Sequence, residues 1–280
     1  MTVGPGFFSL TGRDQGAGKS VASETNIDDA AGAAHGAGEG HSPLAQFEIR
    51  ELVPIHFGDW NLSFTNSALW MMVAIALATM LFTLSMRRHA LVPGRWQSVA
   101  ELGYEFVANM VRDNVGQIGR PYFPFIFTLF IFILFGNMIG MVPYTFTYTS
   151  HIIVTFGMAL VVFVGVTIIG FVRHGTRFLK FFVPSGVPAP LLAILVPIEV
   201  LSYFVRPVSL SLRLFANMMA GHTMLKVFGG FVVALGLFGF MPLALIVALT
   251  GLEIGIAFLQ AYVFAVLSCL YLNDALHMHH

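Results

Sequence analysis

The sequence has 280 residues, of which 57% are hydrophobic and only 10% are charged. Soluble domains carry about 25% charged residues, so this chain lacks the charge to cover a water-exposed surface and is predicted to be a polytopic membrane protein. The 14 basic and 14 acidic residues balance without a basic block, which excludes nucleic-acid binding. The single cysteine, Cys269, excludes an internal disulfide bond and lies in an apolar run typical of a packing residue.

The first 43 residues are rich in glycine, alanine and polar residues, which predicts a mostly disordered extension before a membrane domain over 44–280. The segment GAGKS at 16–20 is similar to the end of a phosphate-binding loop. That motif requires a glycine five positions before Gly18, where this chain has Arg13, so nucleotide binding is not expected. No apolar core follows an early positive cluster, and a cleavable secretory signal is not expected either.

Residues 44–60 alternate modestly between apolar and polar side chains and are predicted to form a short ordered approach to the membrane. Trp60 and Phe64 suit the membrane interface. The first predicted span, 66–86, contains no charge and is long enough to cross about 30 Å of hydrocarbon. Two arginines follow it and end the span.

Residues 96–118 have the pattern of an amphipathic helix rather than of a span. One face repeats apolar residues at helical spacing: Val99, Leu102, Phe106 and Met110. The opposite side carries the charged residues Glu101, Glu105 and Arg112. This helix is therefore predicted to lie in the membrane interface.

Two further spans are predicted at 122–142, which is rich in phenylalanine and isoleucine, and at 152–172. Basic residues follow the first and third spans, whereas the link YTFTYTSH between the second and third spans has none. Because positive residues concentrate on the cytoplasmic side, the segments 87–120 and 173–180 are predicted to be cytoplasmic or matrix-side. The N-terminus is then outside.

The apolar character of 187–235 persists for about 49 residues, which would span roughly 73 Å as a helix, more than twice the bilayer thickness. Prolines and polar residues interrupt it, and a second long apolar run follows at 242–272. Two upright helices fit these lengths poorly, so a steeply tilted, kinked pair is predicted. The fold class is therefore an all-α polytopic membrane protein with about five transmembrane helices plus the interfacial helix.

A stripe of polar residues runs along the helix predicted over 187–235. At about 100° per residue, its members fall within about 40° of one common line along the helix: Glu199, Ser202, Arg206, Ser209, Arg213 and Asn217. Such a stripe must face protein or water, because an arginine at membrane depth costs about 2.5–3.5 kcal/mol. Arg213 is interpreted either as part of a structural ion pair or as a permanent cation. A permanent cation lowers the pKa of a partner carboxylate but cannot pass on a proton.

His222 lies later in the same predicted helix, and Glu253 and Gln260 share one face of the last helix. An imidazole and a carboxylate can both titrate near neutral pH, so His222 and Glu253 are a candidate proton relay. The alternative for His222 is a satisfied structural residue. Gly251 and Gly255, followed by alanines at four-residue spacing, suit close helix approach. That approach is either packing within the chain or docking against a partner.

The segments SLSLRLFANMMAGH at 209–222 and GLEIGIAFLQAYVF at 251–264 resemble subunit a of F-type ATP synthases, also called ATP synthase subunit 6. The resemblance covers roughly 44–273. It implies five membrane helices, the last two forming a long tilted hairpin against a rotating ring of c subunits. It also implies peripheral-stalk b subunits, the rest of the F0F1 complex and the lipid membrane as partners, with no cofactor, no metal and no catalytic role of its own.

The same resemblance implies a function for each candidate residue. Arg213 matches the essential arginine that faces the ring carboxylate and separates two aqueous half-channels. Glu199 matches an acid of the half-channel open to the cytoplasm or matrix, and Ser202 and Ser209 are expected to face the ring. The half-channel open to the other side is implied to be lined by Asn217, His222, Glu253 and Gln260. Some bacterial relatives carry the His222–Glu253 pair in reverse order, which predicts that the two side chains touch.

The implied function is proton translocation that drives ring rotation and ATP synthesis in a soluble head that this chain does not contain. A bacterial inner membrane is expected, since no Arg-rich, Ser-rich transit peptide is present, with the mitochondrial inner membrane as the alternative. Two other functions stay open. An ion-coupled secondary transporter should show an inverted repeat and a solute pocket, neither of which is visible in the sequence. A structural membrane scaffold leaves the cost of the intramembrane charges unexplained.

Overall fold

The computed structural model describes residues 49, 51–53, 56–57, 60–61, 63–87, 94–142, 145–183 and 188–277. The predicted disordered extension over 1–43 lies outside these ranges. The described part of the predicted approach to the membrane forms short strands: β1 Glu51–Val53, β2 His56–Phe57, β3 Trp60–Asn61 and β4 Phe64–Thr65. β1 pairs with β4 and β2 pairs with β3, both antiparallel, so the chain doubles back just before the first helix.

Helices make up most of the described residues. They are α1 Asn66–Met86, α2 Arg95–Val115, α3 Phe123–Gly140, α4 Ile152–His174, α5 Ala189–Leu235 and α6 Phe240–Leu276. Short 3-10 segments lie between them at Gln117–Tyr122, Tyr148–Ser150, Gly175–Phe182 and Gly236–Gly239. This architecture confirms the predicted all-α fold class.

Among the described residues, four regions are long and apolar enough to cross a membrane: Asn66–Met86, Gln117–Gly140, Ile152–Leu179 and Pro190–Leu276. The first three correspond to the three predicted spans, and the fourth, of 87 residues, covers both α5 and α6. Thr65 caps the first span, because its hydroxyl accepts from the backbone N–H of Ala68 at 3.4 Å. The chain is thus a multi-pass membrane protein.

The predicted apolar face of α2 is only partly buried within the chain. Val99 and Leu102, two members of that face, are 56% and 72% exposed, while Met110 is buried. The buried residues of α2 are Gln97, Ala100, Val107, Met110, Val111 and Val115. The helix packs against α3 and α6, and these neighbours determine which side turns inward. The apolar side chains at 99 and 102 point outward, which suits a helix that lies in the membrane interface.

The two longest helices form a hairpin, here called the α5–α6 hairpin, joined by the turn Gly236–Gly239. α5 continues through Pro197 and Pro207 as one helix of 47 residues, about 70 Å long at 1.5 Å per residue. Gly236 has a positive φ of 52°, which favours glycine, and a Cβ on Gly239 would lie 2.5 Å from the carbonyl oxygen of Val232. The length of α5 requires a steep tilt within a hydrocarbon layer of about 30 Å.

The core lies where α6 packs against α2, α3, α4 and α5. A row of alanines, Ala257, Ala261 and Ala265, is fully buried there, so this part of the small-residue pattern serves packing within the chain. Asn137 of α3 donates a hydrogen bond to the carbonyl of Ala257 at 3.2 Å. Gly255 is exposed, and a Cβ placed on it would meet nothing within 4 Å. The glycines of the pattern are therefore not used for internal packing.

Candidate functional site

Arg213 lies on the outward side of the α5–α6 hairpin. Its side chain is exposed, whereas its neighbours Leu210 and Leu214 face the core at 1% and 0% exposure. Within the described residues, Arg213 has no hydrogen bond and no ion pair. The guanidinium is therefore open to a partner outside this chain and is not neutralised by a carboxylate of the described residues.

The remaining members of the polar stripe follow the same outward side or its edges. Ser202 and Ser209 are exposed, and Glu199 and Asn217 are half-buried. Glu199 has no ion-pair or hydrogen-bond partner among the described residues. It precedes Arg213 by about 21 Å along the helix, so the two cannot contact each other.

Arg206, the second arginine of the stripe, is neutralised inside the chain. Its Nη1 donates to Oδ2 of Asp274 on α6 at 3.0 Å. The guanidinium carbon also lies over the rings of Tyr203 and Tyr271, 5.5 Å and 5.1 Å from their centroids. The two arginines of one stripe thus have opposite environments, and only Arg213 presents an uncompensated charge outward.

Asn217 and Gln260 form the next cross-helix contact of the hairpin. Nδ2 of Asn217 donates to Oε1 of Gln260 at 3.0 Å. Gln260 is only 1% exposed, and its Nε2 has no hydrogen-bond partner within the described part of the chain. An unpartnered buried amide is costly in a dry site, which favours a site that admits water.

The predicted contact between His222 and Glu253 is present across the hairpin. Nδ1 of the imidazole lies 3.2 Å from Oε1 of the carboxylate, and the residues are 7% and 4% exposed. Neither carboxylate oxygen has an aligned hydrogen-bond partner among the described residues. The other ring nitrogen, Nε2, lies 3.2 Å from Oγ1 of Thr147, in the segment between α3 and α4.

Gly221 allows this approach. A Cβ at that position would lie 2.6 Å from Oε1 and 3.0 Å from Cδ of Glu253, closer than ordinary contact permits. Only a residue without a side chain leaves room for the carboxylate beside α5. The glycine next to His222 is thus part of the site, although it carries no reactive group.

A cavity of about 160 Å³ lies between α5 and α6. Its lining includes Asn217, Gly221 and Glu253 together with apolar side chains. The volume suffices for several water molecules, and the amide and carboxylate provide them with hydrogen-bond partners. The cavity thus touches one residue of each of the two cross-helix contacts, Asn217 of the first and Glu253 of the second.

Sequence reasoning missed three residues of this region: Thr147, Gly221 and Asp274. The glycine lies inside the segment that carries the resemblance, next to His222, so its position was visible but its function was not. Thr147 and Asp274 reach the site only through long-range packing. No cluster of three or more His, Cys, Asp or Glu side chains able to hold a metal occurs in the described ranges.

Comparison with known proteins identifies relatives of the whole membrane region. A model of the family described as ATP synthase A chain matches residues 68–273. The chain is 61% identical over 245 residues to ATP synthase subunit a of Paramagnetospirillum magneticum, which covers 85% of this chain and 99% of that protein. It is 57% identical over 241 residues to ATP synthase subunit a of Pelagibacter ubique, which covers 85% of this chain and 99% of that protein. It is 54% identical over 240 residues to ATP synthase subunit a of Rhodospirillum rubrum, which covers 85% of this chain and 100% of that protein. The chain therefore belongs to the ATP synthase A chain family.

Proposed function

We propose that this chain is the proton-translocating stator subunit of the F0 sector of an F-type ATP synthase. It provides two aqueous half-channels to a rotating ring of c subunits and couples proton flow to ATP synthesis. The observation that carries this proposal is Arg213 on the α5–α6 hairpin, which is exposed and has no ion pair with any residue that the structure describes. The chain itself is non-catalytic, and the ATP-forming site belongs to the soluble head of the complex.

Arg213 acts on the carboxyl group that each c subunit brings past it. A guanidinium remains charged at any ordinary pH, so it favours the ionised form of a nearby acid and lowers the pKa of that acid. A protonated ring site that reaches Arg213 therefore releases its proton. Because the guanidinium cannot give up a proton itself, it also prevents a direct leak between the two half-channels.

The first half-channel leads from the outer side through the His222 and Glu253 contact. These two buried, titratable side chains lie 3.2 Å apart, beside a cavity that also reaches Asn217. Gln260 completes this path through its hydrogen bond to Asn217. A proton that follows this path neutralises a ring carboxylate, and the neutral site can then turn into the lipid.

The second half-channel contains Glu199, near the other end of α5. After nearly a full turn, the ring site reaches this side and loses its proton with the help of Arg213. Ser202 and Ser209, which are exposed on the same side of α5, are proposed to face the ring between the two paths. Each proton that crosses the membrane releases about 2.3 kcal/mol per 100 mV, and this energy drives rotation.

The chain is proposed to lie in a bacterial inner membrane with its N-terminus outside. All described arginines between α1 and α3, and those following α4, fall on one side if the three spans alternate, while the described part of the segment between α3 and α4 has no basic residue. The relatives from which this localisation is inferred are bacterial. Peripheral-stalk b subunits are proposed as further partners on the side of the arginine-rich segments.

The test is Arg213→Ala in the assembled synthase, reconstituted into vesicles and assayed for ATP-driven proton pumping. We expect pumping to be lost, because no other exposed arginine lies at membrane depth in the described part of α5. Arg173→Ala is the matched control, since Arg173 is an exposed arginine at the end of α4, outside the hairpin, and it should pump normally. Pumping that persists in Arg213→Ala would show that the proposed mechanism is wrong.

A further inference from the structure

The segment between α3 and α4 brings a hydroxyl group against the proposed proton path. Thr147 is 4% exposed, and its Oγ1 lies 3.2 Å from Nε2 of His222 and 3.3 Å from the carbonyl oxygen of Gly140. A Cβ on Gly140 would lie 2.5 Å from this Oγ1. The absence of a side chain at 140 therefore lets Thr147 sit between the end of α3 and the imidazole.

Neighbouring hydrogen bonds hold this segment in place. The hydroxyl of Tyr148 donates to the carbonyl of Phe132 at 3.0 Å, and the rings of these two residues stack at 5.2 Å. Burial raises the pKa of Tyr148 far above its usual range, so the phenol remains protonated and able to donate. Ser150 donates to the carbonyl of Thr147 at 2.6 Å. The backbone that carries Thr147 is thus anchored on both sides.

A count of protons fixes the direction of the contacts at Thr147. A threonine hydroxyl has one proton and two lone pairs. The carbonyl of Gly140 can only accept, and it is among the last four of α3, which lack a partner inside their helix. The hydroxyl proton therefore goes to this carbonyl. Toward Nε2 of His222, the threonine oxygen then presents only a lone pair. The hydrogen bond between them therefore requires a proton on Nε2 of the imidazole.

We propose that Thr147 is a positioning residue that selects the tautomer of His222, with a proton held on Nε2 and with Nδ1 turned toward Glu253. The inference rests on the proposed function and adds a residue to its outer half-channel. With Nε2 protonated, Nδ1 and Oε1 of Glu253 face each other at 3.2 Å as two acceptors. A single proton must occupy that gap.

This arrangement allows transfer with little movement of heavy atoms. The proton lies either on the carboxyl oxygen beside a neutral imidazole or on Nδ1 beside a carboxylate, and the pair has the same net charge in both states. The other tautomer would place the imidazole's own proton in the gap and leave Nε2 without one. The remaining charged group near the pair on α5 is Lys226, one helical turn after His222.

The test compares three variants in the assembled synthase. Thr147→Val removes the hydroxyl at similar volume, and Thr147→Ser retains it. Thr149→Val is the matched control, because Thr149 is fully buried in the same segment and its hydroxyl has no hydrogen-bond partner among the described residues. ATP-driven pumping is measured in inverted membrane vesicles that contain equal amounts of assembled complex.

Thr147→Val should lower the pumping rate roughly three- to tenfold, the equivalent of one lost hydrogen bond, while Thr147→Ser and Thr149→Val stay within about twofold of the parent. The shape of the pH profile of proton conduction should change in Thr147→Val, whereas a packing defect would scale the rate equally at every pH. Parent-like rates in Thr147→Val, or a serine variant as slow as the valine variant, would overturn the inference.

His222→Ala distinguishes this inference from the function on which it rests. If His222→Ala pumps like the parent, the proposed path through His222 is wrong. If His222→Ala stops pumping but Thr147→Val pumps at the rate of the parent, the proposed path through His222 is retained and only the inference about Thr147 is wrong.

Discussion

Gly221 is the point at which α5 allows the carboxylate of Glu253 to reach His222, and Gly221→Ala tests that contact directly. The added Cβ would lie 2.6 Å from Oε1, 3.0 Å from Cδ and 3.3 Å from Cγ of Glu253. Ordinary van der Waals contact begins at 3.4 Å, so the oxygen has to move by about 0.8 Å. The contact between Oε1 and Nδ1, now 3.2 Å, then opens beyond hydrogen-bond distance.

The expected effect on function is larger than the effect on folding. A misplacement of about 1 Å in a reacting pair can cost on the order of a hundredfold, so pumping by Gly221→Ala should fall between about tenfold and a hundredfold. Overpacking costs about 1–3 kcal/mol, of which up to about 1 kcal/mol is offset because alanine is a better helix former than glycine. Most of the complex should therefore still assemble.

The assay is ATP-driven proton pumping in vesicles, normalised to the amount of c ring that co-purifies. Gly229→Ala is the matched control on the same helix, because a Cβ at 229 meets nothing within 4 Å. It should pump like the parent and should be slightly more stable. If Gly221→Ala also pumps like the parent with intact assembly, the close approach of Glu253 to α5 is not needed for transport, and the relay function of the pair is refuted.

Two further predictions concern the other cross-helix contacts. Asn217→Leu leaves the buried amide oxygen of Gln260 without its donor and should lower the stability of the folded chain by about 1–3 kcal/mol. The double variant with Gln260→Leu should lose less stability than the sum of the losses in the two single variants. Thermal unfolding in a double-mutant cycle measures both effects. Arg206→Gln breaks a partly exposed ion pair with Asp274 and should cost about 1 kcal/mol or less by the same measurement, yet it should retain pumping, in contrast to Arg213→Ala.

Most helix positions can be predicted from the sequence, because each depends on the local composition. The first span was predicted at 66–86, and α1 occupies the same residues, since an uncharged apolar run begins at a threonine cap and ends before arginines. The long run at 187–235 likewise became α5, Ala189–Leu235. Length alone excluded an upright helix there.

Contacts between helices are harder to predict from the sequence, because they depend on which helices become neighbours. The buried side of α2 does not follow from its own sequence pattern, since the pattern of one amphipathic helix does not reveal that α3 and α6 pack on it. Thr147 is 75 residues away from His222, and nothing in the segment YTFTYTSH indicates that contact. The His222–Glu253 contact follows only from the family resemblance, because sequence spacing does not show that the two side chains meet.

The order of contacts in the hairpin shows which part of α6 lies beside Arg213. The contacts Arg206–Asp274, Asn217–Gln260 and His222–Glu253 join α5 to α6 in antiparallel order, so the position of Arg213 lies between the first two. The stretch of α6 between Gln260 and Asp274 contains no carboxylate, and its inward residues there are apolar or small. The chain thus offers no anion from α6 at the depth of Arg213.

An arginine at that depth costs about 2.5–3.5 kcal/mol unless an anion or water compensates it. The neighbouring arginine, Arg206, contacts a carboxylate and two aromatic rings. The fold is therefore able to compensate the charge of a guanidinium on this helix. At Arg213 it does not do so. In the proposed mechanism, a ring carboxylate supplies the compensating charge. An acid introduced at an exposed apolar position of α6 between Gln260 and Asp274, within reach of Arg213, should therefore stop ATP-driven proton pumping, because it would pair with the guanidinium within the chain.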